Sequence, residues 1–136
     1  MDIQVYNNIY EGLKRYVADK GNPYGVSVVN DVTTNTKYPF IFIEEPTNNV
    51  YGNYNGKFDR VANISYRIEV FAKDKNKTSK QQIARELAQL VDTFMTEVVG
   101  LTVVSRNANT PTMDGALYRY TSMYNGYWHE NRNRFF

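Results

Sequence analysis

The chain has no cysteine, one histidine and one tryptophan in 136 residues. Without cysteine there is no disulfide, no thiolate nucleophile and no cysteine-ligated zinc or iron–sulfur site, so stability has to come from packing alone. A single histidine, His129, fits neither a catalytic triad, which needs a nucleophile held by the imidazole, nor a metal site, which usually takes several His or carboxylate ligands. Beside Trp128 it reads as a surface or interface imidazole. Excess charge is missing as well. Sixteen Lys and Arg stand against 14 Asp and Glu, a net charge of +2, which is too even to make nucleic acid the default partner. The only lysine cluster, Lys73, Lys75, Lys77 and Lys80, is interleaved with Asp74, Asn76 and Ser79 and has no aromatic platform, as in a solvated connection. No stretch approaches the roughly 20 apolar residues of a membrane span, and MDIQVYNNIYEGLKRYVADKG lacks the basic start and apolar core of a signal peptide. The expected location is the cytoplasm, or a particle assembled there.

What is present is a clear alternation of strand and helix patterns within about one domain's length, so residues 1–136 are read as a single domain. Tyr6, Ile9, Tyr10, Leu13, Tyr16 and Val17 fall on one face of a helix over about residues 2–19, and Gly21-Asn22-Pro23 stops it. Val26, Val28 and Val29 form a short β-favouring stretch. Tyr38 to Glu45 is apolar on both faces, as a strand is in mid-sheet or at a subunit contact. Ile64, Tyr66, Ile68 and Val70 then alternate with Ser65, Arg67 and Glu69, the period of a strand with one buried face. A second helix opens at Ser79 and Gln82 with the spacing of a capping box. It carries Ile83, Leu87, Leu90, Val91, Phe94 and Val98 as one stripe and ends at Gly100, which tolerates a left-handed conformation. Residues 101–106 and 116–124 predict a hairpin, followed by an aromatic and basic tail. Between the two central strands, residues 46–62 lack periodicity and are rich in Asn, Gly and Tyr. A loop that long is expected to be a binding element or to be ordered by a partner. The expectation is an α+β fold, a mostly antiparallel sheet of four to five strands with two helices packed on it.

Chemical motifs do not emerge from this frame. Glu44 and Glu45 are adjacent in a strand and point to opposite faces, which defeats a paired-carboxylate reading and leaves ordinary strand-end charge. YGNYNGK lacks the Gly-Lys-Ser/Thr of a phosphate cradle and does not lead from a strand into a helix. Tyrosine is abundant, at 12 residues. Such rings suit a surface that is exposed before assembly and buried after it, although an AT-rich coding sequence also yields them. Trp128, Tyr124, Tyr127, Phe135 and Phe136 lie among Arg119, Arg132 and Arg134. That composition serves a protein–protein hot spot, a single-strand nucleic-acid platform or a cap on the core.

The order of elements resembles that of the tail terminator (tail completion, or minor capsid) proteins of long-tailed bacteriophages. It runs from an N-terminal amphipathic helix through an IFIEE strand, a long loop and a strand ending YRIEVFA, to a capped QQIARELAQLVDTFM helix and a hairpin with YRYTSMYNGYW. The resemblance rests on element order, size and texture over most of the chain. It implies a structural virion subunit without catalytic residues or cofactor. Six copies would form a ring on the last ring of tail tube protein, end tube growth and present a surface to the neck, or head–tail connector. Head–tail joining and stopper proteins are the alternative, and a nucleic-acid-binding module, which needs a contiguous basic face, is the more distant one. A closed ring needs one surface of the subunit to meet a different surface of its neighbour. The candidate contact residues are Phe40 and Phe42 on the two-sided strand, Tyr51, Tyr54 and Phe58 in the long loop, and Tyr118, Tyr120, Tyr124 and Trp128 on the hairpin. The reading assigns no catalytic, cofactor or metal residue, no membrane and no specific nucleic acid.

Overall fold

A computed structural model describes residues 3–20, 24–31, 37–53, 60–74, 78–109, 117–129 and 134–135. Helix α1 (Ile3–Asp19) leads to strands β1 (Ser27–Val29), β2 (Phe40–Asn53) and β3 (Arg60–Ala72). Helix α2 (Lys80–Thr93) continues into a wider π-helical turn (Phe94–Val98), and β4 (Thr102–Asn109), β5 (Tyr118–His129) and the two-residue β6 (Arg134–Phe135) complete the chain. The sheet runs β1-β2-β3-β5-β4, with β6 against the end of β5. Only β1 and β2 are parallel; the other pairs are antiparallel. This is an α+β fold with two helices on a mixed, mostly antiparallel sheet.

Both helices lie on one face of the sheet. On β3 the residues Ala62, Ile64, Tyr66, Ile68, Val70 and Ala72 are all buried in one core with Val5, Ile9, Leu13 and Val17 of α1 and with Ile83, Leu87 and Val91 of α2. The register sets Tyr66 opposite Tyr124, Val70 opposite Tyr120 and Ala72 opposite Tyr118, so the even-numbered side of β5 faces the helices too. Phe40 and Val61 are also buried, yet neither joins this core, because both sit on the outer side of the sheet, Phe40 opposite Phe71 and Val61 among the odd-numbered residues of β3.

The start of α2 is half of the expected capping box. Ser79 Oγ accepts from the Gln82 N–H at 3.2 Å, but the Gln82 side chain donates forward to Glu86 (3.2 Å), while Asp74 Oδ1 accepts from the Lys80 N–H at 2.7 Å. The apolar stripe also departs from a plain 3.6-residue period. The Val99 N–H reaches back five residues to the Phe94 carbonyl at 3.0 Å, and the extra residue in that turn rotates all that follows. Met95 is buried and Val99 packs on the core, whereas Val98, expected on the stripe, is 60% exposed. Leu90 is likewise only partly buried. Gly100 then takes φ +91°, and the Leu101 N–H closes onto the Met95 carbonyl at 2.9 Å.

The expected long loop is mostly strand. β2 runs to Asn53 and β3 begins at Arg60, with Thr47 to Asn53 paired to Ser65 to Arg60. Two register shifts, between Glu44 and Thr47 and between Val50 and Gly52, break the alternation that would have revealed the strand. Residues 54–59 lie outside the described residues. The hairpin is also longer than expected, since β5 extends through the aromatic tail to His129.

Gly126 is required for space on the core side of β5. A Cβ there would stand 2.8 Å from the Phe135 ring and would also collide with the Leu101 side chain. Gly126→Val is therefore expected to displace Phe135 and with it β6, costing about 1–3 kcal/mol as other overpacked cores do. Urea denaturation measures the loss; an unchanged midpoint would mean that β6 contributes nothing to the packing.

Candidate functional site

One face of the sheet carries the two helices; on the other, the described residues place no second layer. Its strongest feature is an aromatic group at one end. Phe40 stacks on Phe71 at 4.8 Å between centroids, Tyr38 lies 5.1 Å from Phe40, and the Lys73 ammonium sits 4.4 Å above the Tyr38 ring. Beside it runs a ladder of alternating charge. The Arg67 Nε donates to Glu44 at 2.7 Å, Glu69 lies 3.5 Å from Arg67, and Arg119 lies 3.9 Å from Glu69. Hydrogen bonding to Glu44 raises the Arg67 pKa above the usual guanidinium value. These four groups come from β2, β3 and β5 because the register sets Glu44 opposite Arg67 and Phe71 opposite Arg119. Arg67 and Arg119 have side chains 40% and 48% exposed, so the ladder is open to a docking partner. At the far end of the same side, His129 is buried at 3% exposure, opposite Val61, rather than at the surface.

The predicted contact residues divide between the two faces. Phe40 and Phe42 lie on the outer side, Phe42 half-buried and Phe40 closed over by its aromatic neighbours. Tyr51 falls within β2; Tyr54 and Phe58 lie outside the described residues. Tyr118, Tyr120, Tyr124 and Trp128 point to the helix side: Tyr118 and Tyr124 are buried, and Tyr120 and Trp128 pack partly buried against the core. Tyr118 and Tyr124 therefore support the subunit's own core and have no ring surface left for a partner. The reason is that alternation separates two faces without saying which one the helices will cover, and tyrosine suits either.

Two polar clusters were not foreseen. Asp92 on α2 accepts from the Nε and Nη2 of Arg106 on β4, at 3.0 and 2.8 Å, and from the Tyr124 hydroxyl at 3.0 Å, tying helix to sheet at one corner. The second lies under α1, where β2 bulges at Pro46. Glu44 points outward and Glu45 inward, as adjacent strand residues must, but neither ends the strand. Glu45 accepts from Asn48 Nδ2 at 2.6 Å, and its other carboxylate oxygen is buried unbonded, as is the Tyr66 hydroxyl. Burial first, and the nearby Glu45 charge second, push the Tyr66 pKa far above its ordinary value. The sequence signal for the first cluster was Asp92 on the polar flank of the α2 stripe; the second arises from the bulge and had none.

Among the described residues, no group of three or more His, Asp or Glu is placed to hold a metal ion, and no helix is long and apolar enough to cross a membrane. Searches of protein-family models and of curated proteins find nothing that matches this chain.

Proposed function

We propose that the chain is a structural virion subunit, a tail terminator of a long-tailed bacteriophage, that assembles as a ring on the tail tube and carries the neck on its other side. What supports this reading most is the one-sided fold. A sheet covered by helices on one face presents on the other a half-buried aromatic group beside an open charge ladder, a pairing that serves recognition of a protein surface. The ladder alternates carboxylates and guanidiniums, so its cations already face anions, and a phosphate backbone would gain little there. Within this reading the partners are further copies of the chain, most simply six in all, the tail tube protein and a neck protein.

Sedimentation velocity across a range of concentrations, with and without tail tubes, tests the assembly. A ring, or a monomer that sediments with tubes, agrees; a strict monomer that leaves tubes alone does not. The outer face can be tested separately with Arg67→Ala. A half-exposed ion pair contributes about 1 kcal/mol or less to the fold, so the melting temperature should hardly move while binding to tubes or neck weakens. Undiminished binding would exclude the ladder from the contact.

A further inference from the structure

We infer that the ring closes edge to edge, with β4 of one copy adding as a strand to the uncovered part of β2 in the next. The inference rests on the ring reading above. Within the described residues, the sheet has two edges and they are of opposite direction. β3 is antiparallel to β2, β5 to β3, and β4 to β5, so β4 runs opposite to β2. A head-to-tail neighbour therefore brings β4 antiparallel to β2 while keeping the helices of both copies on the same face, the arrangement a closed ring needs.

The β2 edge is closed only in part. β1 pairs with Phe40, Ile41 and Phe42. Just past its end the Tyr6 hydroxyl donates to the Ile43 carbonyl at 3.1 Å, and Tyr10 does the same to Val28 at 3.1 Å. α1 thus supplies side-chain donors to backbone acceptors at this edge as far as Ile43. From Glu44 to Asn53 no described strand lies beyond β2, a stretch at least as long as the eight residues of β4. Among the described residues β4 pairs with β5 alone, and at its bulge, between Val103 and Ser105, it carries Val104, 63% exposed and one of the two large apolar residues left so open among those described. An apolar side chain on a bare edge strand is what strand addition buries.

Both edges also carry brakes. Pro46 has no N–H to donate, and a register shift interrupts each strand, between Glu44 and Thr47 on β2 and between Val103 and Ser105 on β4. The uninterrupted part of β2 that remains, from Thr47 to Val50, is short. A contact of that length is weak singly and holds when every subunit is held twice, so free subunits stay apart and close on a template.

The absence of cysteine makes the contact testable by cross-linking. Thr47→Cys and Val104→Cys are made singly and together and treated with a short bismaleimide under conditions where the wild type forms rings. The two single variants mixed should give a heterodimer, each alone should give none, and the double variant should give a ladder ending at the ring. Val104→Lys, an edge charge at an exposed site, should weaken association about tenfold or more with the melting temperature held. A Val104→Cys homodimer would mean a two-fold β4–β4 contact and overturn the inference. Rings that form with no cross-link, and are unaffected by Val104→Lys, would overturn it too while leaving the terminator reading intact. No association under any condition, tubes included, would end both.

Discussion

Tyr124→Ala is expected to destabilise the folded subunit by about 3–5 kcal/mol, the range for removing a large ring from a packed core. Tyr124 is fully buried, lies opposite Tyr66 on the helix side of the sheet, and donates its hydroxyl to Asp92 at 3.0 Å. Tyr124→Phe keeps the ring and loses the hydroxyl with its bonds to the Asp92 carboxylate and to Ser122, of which the bond to the carboxylate contributes about 1.5–3 kcal/mol. Urea denaturation of the two variants separates ring from hydroxyl. A Tyr124→Ala protein that melts normally and fails only in assembly would return this residue to the contact surface where the sequence pattern placed it.

Alkaline pH should unfold the protein steeply. Burial is the leading cause raising the Tyr66 and Tyr124 pKa values, with the Glu45 charge adding to the first and Asp92 to the second. A tyrosine in the unfolded chain ionises near its ordinary value of 10.0. Below that pH both states hold the proton and stability is intact; above it the unfolded chain releases the proton and the folded one keeps it. Stability is thus lost as pH rises from the unfolded value toward the folded one, by about 1.4 kcal/mol per pH unit for each group. Two groups lose about 5 kcal/mol by about pH 12, comparable with the whole stability of many domains. Ultraviolet absorbance of tyrosinate, followed together with circular dichroism, should show these two rings ionising only as the fold is lost. A smooth titration of all tyrosines near 10 in a folded protein would contradict their burial.

Much of this architecture was legible in the sequence, for identifiable reasons. The alternation from Ile64 to Val70 and the stripe from Ile83 to Phe94 are long enough to determine strand and helix, and Ser79 and Gly100 mark ends by geometry that the structure repeats. The failures have causes of equal clarity. Val98 left the stripe because one turn is wider by a residue, which no side chain announces. The strand through Pro46 to Asn53 was hidden because two bulges and a proline erase a period of two. The outer-face ladder was visible only in part. Arg67 and Glu69 stood out as the polar side of β3, but the partners Glu44 and Arg119 come from strands whose pairing depends on the register of the whole sheet.

The proposed ring-forming role is tested most directly by electron microscopy of tail tubes assembled from purified tube protein with and without this chain. A terminator should give tubes that stop growing and carry a ring of these subunits at one end, while tubes without it continue to lengthen. Tubes of the same length distribution in both samples, with bare ends, would contradict the account.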